Sequence, residues 1–515
     1  MSFVNNITPI TQSGNTSFIE KVAPQTPRVA IIGAGITGLI EAYELSKLGY
    51  HVDIFEASGK CGGRISSVQN PFGEGGHFDV GAEIIDRNHL GLIKLCHEFG
   101  IPLIDRHAAI KGEGLMTANG KRFLDKDMLD SENGQGAYAA LCKAIAEDKK
   151  SLKDESGQWS EHARALDRLS MDEYLAQKAQ QTGTAPEVVD ILKAGYTSEI
   201  GQDTSHLSAL NLIDFIGTDE KQGFSMFGDS DESFAVEGGT ARIVDELLKR
   251  LDGKVTLHTH QQLHHIVPSA NGQKTLHFVL ADGTSSTRDY DVVAPAIPMH
   301  ALAKVNGIEH LGLSPEHINT LQNMQYNQLT KIIVQTKGRP WEHLPNFNGE
   351  VTGGGTAFQV AWPSNSELSA ATRGENGTLT FLVGGEIAKL PPEELVARCK
   401  QDYAAIIGKP VEDVFTPQKG WVMQHWKSGG CYPAPQPGAY IALDEFSRDL
   451  GANKELLLAG GYVTAPSDHG TWVGFMHNAA ASAESMAHRV AERLPEIAQQ
   501  KSQALVGSIP HERSA

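Results

Sequence analysis

Cysteine is scarce in this 515-residue chain: Cys61, Cys96, Cys142, Cys399 and Cys431 make up the whole set. An odd, widely spread set of thiols forms neither a disulfide framework nor a zinc pattern, which points to a reducing compartment. Long apolar runs are missing too. No stretch approaches the ~18 consecutive apolar residues of a membrane span, so no spanning helix is expected. Basic residues are outnumbered, with 44 Lys+Arg against 62 Asp+Glu and a formal net charge of −18. The average field repels polyanions, which argues against nucleic acid as a partner, and it attracts cationic small molecules. Met1 to Pro27 has neither a basic start nor an apolar run, so it reads as a flexible arm rather than a signal peptide. A soluble cytoplasmic protein is the expectation. Hydrophobic residues at 40% and charged residues at 21% suit a globular chain of roughly three domain-sized units.

What is present begins abruptly at Arg28. Val29 to Ile32 is a short apolar run suited to a buried parallel strand. Leu39 to Leu48 has helical spacing and closes at Gly49, and His51 to Phe55 is a second strand, completing a βαβ unit. Residues 86 to 235 are richer in helix formers, with candidate helices at Leu90 to Phe99, Ala137 to Ala146 and Met171 to Ala179. Asp214 to Glu232 reads as an acidic loop. Strand–helix alternation returns with the helix Ala241 to Leu251 and the strands Val255 to His260, Leu263 to Val267 and Asp291 to Ala294. Residues 301 to 445 mix strands (Lys331 to Gln335, Leu379 to Val383) with the helix Glu393 to Ile406. Leu456 to Ala459 reads as a buried strand, and Phe475 to Leu494 as an alanine-rich helix. The alternation predicts a nucleotide-binding domain built from separated segments, with a second domain inserted between them.

The strongest local signal is G-x-G-x-x-G at Gly33, Gly35 and Gly38, spanning Ile36 and Thr37. The first glycine permits the turn, the second lets backbone approach a pyrophosphate, and the third allows close helix–strand packing. The diphosphate then meets a helix N-terminus. Glu56 closes the second strand, where it can accept hydrogen bonds from a ribose and disfavour a 2′-phosphate. Ala57 follows it, and Gly62-Gly63-Arg64 comes next. His258, His260, His264 and His265 alternate faces and lack carboxylate or thiolate partners, so no metal is expected.

Gly62-Gly63-Arg64 resembles the second dinucleotide fingerprint of FAD-dependent oxidases, and with it the chain resembles the flavin-containing amine oxidase superfamily, monoamine oxidases in particular. Phe78-Asp79-Val80-Gly81-Ala82-Glu83, running on to Ile84, is similar to the family's turn on the flavin. The strand around Leu263 is similar to its return to the adenine side. Trp426-Lys427-Ser428-Gly429-Gly430-Cys431-Tyr432-Pro433 is similar to the stretch that holds a covalent flavin. The resemblance implies a thioether at Cys431, against a free cysteine beside a noncovalent flavin, and gives Tyr432 one wall of the substrate site. Trp472 to Met476 resembles the final motif, placing Phe475 where the second cage aromatic is usually Tyr. Lys331 matches the lysine that holds a water against the flavin N5.

Departures accompany the resemblance. Ala459-Gly460-Gly461-Tyr462 lacks the glutamate that usually follows Ala-Gly, and a longer loop through Asp468-His469 precedes Trp472. Glu83-Ile84-Ile85-Asp86 stands where monoamine oxidases carry an aromatic-containing stretch. The implied fold is α/β (α+β): a Rossmann-like FAD domain (28–85, 236–300 and 446–495) interleaved with a substrate domain of mixed sheet and helices (86–235 and 301–445). The arm 1–27 and the tail 496–515 flank them. The implied activity is oxidation of a primary or secondary amine to an imine, with O2 reduced to H2O2 and a homodimer as an allowed assembly. Rivals are an L-amino acid oxidase, for which Arg87 is the best available carboxylate clamp, and a flavin-binding protein without turnover.

Overall fold

The structure is a computed structural model describing residues 26–73, 76–124, 138–218, 225–364, 368, 374–417, 420–426, 430–464 and 473–507. Val29–Ile32 lies inside a four-stranded parallel sheet in the order Thr256–His258, Val52–Phe55, Val29–Ile32, Val292–Pro295. Both faces of this sheet are covered, as a near-continuous apolar strand requires. Val29 and Ile31 point into a core with the helices Ile36–Lys47 and Ala241–Leu251. Ala30 and Ile32 point into a second core on the opposite face. Helix Ala241–Leu251 earns its place by an apolar stripe of Ile243, Val244, Leu247 and Leu251. The long helix Met476–Gly507 packs against Ile36–Lys47, with Ala479, Ala480, Ala483 and Ala487 allowing close approach.

A seven-stranded sheet forms the other large layer, in the order Trp421–His425, Leu329–Gln335, Thr378–Gly384, Val360–Pro363, Phe347–Gly354, Glu113–Ala118, Lys121–Leu124. Its neighbours are antiparallel except Phe347–Gly354 with Glu113–Ala118. Helix Pro392–Ile407 begins with Pro at its first position and ends on Gly408 in the left-handed region (φ 74°); it covers one face. A helical layer containing Met171–Thr182 and Pro186–Ile200 has its own core, and Ser170 with Glu173 closes a capping box on the first of these. This mixture of parallel sheet, mixed sheet and helices matches the expected fold class.

Most expected elements form, with shifted ends: Leu39 to Leu48 becomes Ile36–Lys47, and Val255 to His260 contracts to Thr256–His258. Leu456 to Ala459 forms no strand. Its residues are buried alternately in the two cores, but one bond, Ala459 N–H to the Pro295 carbonyl (3.1 Å), ties it to the sheet. Pro295 has no N–H to donate back, so the ladder stops there. Unforeseen elements include the strands Lys274–Leu280 and Ser285–Tyr290, which extend Gln261–Pro268 into a meander, and the helices Pro186–Ile200 and Tyr440–Ala452. The expected cut at residue 446 falls within the last of these.

Candidate active site

The cradle starts where the strand Val29–Ile32 gives way to helix Ile36–Lys47. Gly33 takes φ +108°, and a Cβ on Gly38 would collide with the Gly33 carbonyl, so the helix can approach the strand only with glycine there. Gly35 is different. Its φ of −73° is ordinary, and a Cβ would meet no protein atom within 4 Å. The space beside Gly35 is therefore open, and it belongs to the cavity described below. It faces a helix N-terminus without a side-chain cap, where free N–H groups favour an anion. Glu56 is fixed beside it: one carboxylate oxygen accepts from Ala34 N–H (3.0 Å), the other from the Ser58 N–H (2.9 Å) and hydroxyl (2.8 Å). Gly62 bonds through its N–H to the Ala34 carbonyl (2.8 Å), which lays Gly62 and Gly63 (φ +109° and +59°) along the glycine loop.

From this cradle a cavity of about 500 Å³ runs into the second layer. Lys331 reaches it from the strand Leu329–Gln335, the second of the seven-stranded sheet. It is 6% exposed and its strand is paired on both sides, so it is no edge-strand surface lysine. Its ammonium donates to the carbonyls of Asp79 (2.8 Å) and Gly81 (3.3 Å) and pairs with Glu83, and it lies 5.4 Å above the Trp362 ring. Trp362 in turn donates its indole N–H to Glu83 (3.4 Å). Behind the pair, burial and the nearby Glu83 charge push the Asp79 carboxyl up to about 6, despite bonds from Ser67 and Thr240. Arg64 donates to the carbonyl of Cys431, whose own N–H is held by Asn327 (2.6 Å). Burial pushes the Cys431 thiol up to about 12.

At the chamber, Tyr432 donates its hydroxyl to the carbonyl of Glu199 and packs against Gly474, next to Phe475. Phe475 meets His89 at a tilt of 52°, with 5.5 Å between centroids. Burial, with Glu232 and Asp86 nearby, pushes the Glu199 carboxyl up to about 8.

The sequence pattern of the flavin containing amine oxidoreductases matches residues 36–491. The chain belongs to that family. Membership implies a flavin cofactor, and the open glycine cradle with Glu56 fits the dinucleotide end of one. "Flavin-dependent L-tryptophan oxidase RebO" of Lentzea aerocolonigenes is 24% identical over 83% of this chain and 91% of its own length. "Probable flavin-containing monoamine oxidase A" of Dictyostelium discoideum is 22% identical over 90% of this chain and 98% of its own. Among solved structures, cyclohexylamine oxidase from Brevibacterium oxydans superposes with a TM-score of 0.72 at 18% identity, covering 91% of this chain and 100% of its own. That likeness carries the fold.

Of the residues singled out in the sequence, Gly33, Gly35, Ile36, Thr37, Glu56, Ala57, Gly63, Arg64, Gly81, Ala82, Glu83, Ile84, Leu263, Lys331, Trp426, Cys431, Tyr432, Gly461 and Phe475 line this one cavity. Gly38 does not; it sits beneath the glycine turn. Tyr462 does not either: it is 2% exposed and stacked on Phe446 in the core behind Gly460. Trp472, with Asp468 and His469, lies outside the described residues. Arg87 is absent from the cavity wall and pairs with Asp231 (3.5 Å) and Asp105 (3.9 Å). His258 is spent on Asp53 (3.0 Å) and on stacking against Phe55. Sequence reasoning missed Glu199, Glu232 and Trp362. Nothing in the mixed run Tyr196-Thr197-Ser198-Glu199-Ile200 marks Glu199 out in the sequence.

Proposed function

We propose that the chain is an FAD-dependent amine oxidase, converting a primary or secondary amine to an imine that hydrolyses to aldehyde and ammonia, with O2 reduced to H2O2. One observation carries this reading. The cavity that begins at the glycine cradle ends among aromatic and acidic side chains, and among the described residues the two cations on its wall have partners: Arg64 donates to the Cys431 carbonyl and Lys331 pairs with Glu83. An amino acid substrate would need a free cation for its carboxylate. That ranks an L-amino acid oxidase second, although the first-named relative is one by its name, and a flavin binder without turnover third.

The helix start at Ile36 would hold the diphosphate and Glu56 a ribose, while the Gly81–Ile84 turn and Trp426 flank the ring system. Cys431 is the only cysteine among those lining the cavity, and we assign it the thioether to FAD. Bound FAD supplies the two-electron oxidation. The protein's residues do the rest. Tyr432 and Phe475 form the walls that orient the amine, and Lys331 with Glu83 keeps a fixed charge pair beside them. Desolvation between the two rings would lower the ammonium's pKa, so the amine sheds its proton without a dedicated base. The test is anaerobic mixing of the yellow protein with monoamines, diamines and L-amino acids, followed by air. Bleaching by amines and peroxide on aeration is expected. Bleaching by carboxylate-bearing substrates alone overturns the ranking, and bleaching by none leaves the binder. Acid precipitation that leaves flavin in the pellet, and loses it in Cys431→Ala, tests the attachment.

A further inference from the structure

Asn327 stands just behind the cavity wall, shortly before Lys331 in the chain, and is 1% exposed. A short antiparallel pairing joins its segment to the one that carries Cys431 and Tyr432. Ala434 N–H reaches the Gln325 carbonyl (2.8 Å), and Asn327 N–H reaches the Tyr432 carbonyl (3.3 Å). The next donor along, the Cys431 N–H, turns instead to the Asn327 side chain, whose Oδ1 accepts it at 2.6 Å. The rest of that side chain abuts the end of helix Pro186–Ile200. Gly201 caps the helix at φ +72°, and a Cβ there would lie 2.8 Å from Asn327 Nδ2 and 2.9 Å from its Cβ. A Cβ on Gly430 (φ +58°) would lie 2.5 Å from Oδ1. The Gln328 N–H adds a bond to the Gly201 carbonyl (3.0 Å). One buried amide is thus wedged between two left-handed glycines. It joins the strand of Lys331, the segment of Cys431 and Tyr432, and the helix whose Glu199 carbonyl receives the Tyr432 hydroxyl. Its Nδ2 has no hydrogen-bond partner among the described residues. A buried amide nitrogen left unpaired costs about 1–3 kcal/mol, so stability alone does not account for the residue. What its side chain supplies is the acceptor for Cys431.

We propose that Asn327 is a positioning residue that fixes the Gly430–Tyr432 segment, and so sets the Cys431 thiol and the Tyr432 ring against the flavin. It acts through those two residues and touches no reacting atom. Its effect on rate rests on the amine oxidase reading above, whereas its effect on the surroundings of the flavin requires only that flavin be bound. Without the Oδ1 acceptor the Cys431 N–H is left buried and unpaired, and the segment shifts toward another partner. Displacing the ring by about 1 Å is enough to slow an orientation-dependent step about a hundredfold.

Wild-type holoenzyme is compared with Asn327→Leu, which keeps the shape and deletes the acceptor, and with Asn327→Asp, which restores an acceptor. At about pH 6 burial keeps the new carboxyl neutral. Two readouts are taken per bound flavin. Visible circular dichroism needs no turnover, and anaerobic bleaching by butylamine and benzylamine separates the dissociation constant from the limiting rate. Asn327→Leu should change the dichroism and lower the limiting rate about ten- to a hundredfold, with the dissociation constant within about threefold. Asn327→Asp should return the dichroism to that of wild type and the rate to within about threefold of it. A residue that only stabilised the fold would lower flavin content and melting temperature while each bound flavin kept the wild-type dichroism and rate. That result overturns the proposal, as does an equal loss in both variants. If Asn327→Leu gives no soluble protein, Asn327→Ala, which removes the acceptor and leaves room, is judged by the same readouts. Absence of bleaching in wild type refutes the oxidase reading instead, and the dichroism then decides the role of Asn327 by itself.

Discussion

The two ends of the cavity are built in opposite ways. The cradle draws on one short segment, Gly33 to Arg64, whose glycines are required by backbone geometry and whose contacts are mostly main chain. The chamber gathers Glu83, Glu199, Lys331, Trp362, Tyr432 and Phe475 from segments up to 392 residues apart (475 − 83), and its contacts are side-chain pairs. The cradle is thus specified locally, whereas the chamber exists only once both sheets and the helical layer are in place. Perturbing the first should change what is bound; perturbing the second should change whether the fold holds.

The largest effect is expected at Lys331. Replacing it with Met leaves Glu83 as an uncompensated, largely buried charge, and a loss of about 3–5 kcal/mol is expected in denaturant unfolding. A loss under about 1 kcal/mol would mean the chamber does not depend on this pair. Next is Asp79, raised from 3.8 to about 6. The folded state holds this proton more tightly than the unfolded chain, so its favourable contribution is complete below pH 3.8 and is lost as pH rises through 6. Wild type should therefore gain up to about 3 kcal/mol relative to Asp79→Asn between pH 7 and pH 4. An unchanged difference across that range would contradict the burial.

At the cradle the expectation reverses. Gly35→Ala should leave the flavin-free protein within about 1 kcal/mol of wild type, since the added Cβ meets no protein atom within 4 Å, yet cut FAD affinity by about tenfold or more. Loss of stability instead would erase the contrast between the two ends. The smallest effect belongs to Tyr432→Phe. It removes one hydroxyl from the Glu199 carbonyl, worth about 1 kcal/mol, and should shift the melting temperature slightly while the ring stays in place.

The same contrast explains what could be read in the sequence. The βαβ unit announced itself because strand, glycine turn, helix and acid follow one another at spacings set by local geometry. Tyr432 and Lys331 were reachable through motifs that resemble those of a known family. Glu199 and Trp362 were not, because each sits on an unremarkable helix or strand and gains meaning only from what the tertiary fold sets opposite it. Leu456 to Ala459 misled for a related reason: it alternates and is buried like a strand, but a proline in the neighbour withholds the hydrogen bonds. The meander of Lys274–Leu280 and Ser285–Tyr290 was overlooked because its residues are largely polar outside the core positions Leu276, Phe278 and Tyr290.

Val29–Ile32 is flanked on one side by Val52–Phe55 and on the other by Val292–Pro295. On the ribosome, one edge of that first strand must wait about 260 residues for its neighbour, roughly 15–50 s at ordinary elongation rates. Helix Met476–Gly507, which seals the back of Ile36–Lys47, emerges later still. The parallel sheet beneath the glycine cradle is therefore completed late in synthesis, and until then the nascent chain carries an open sheet edge.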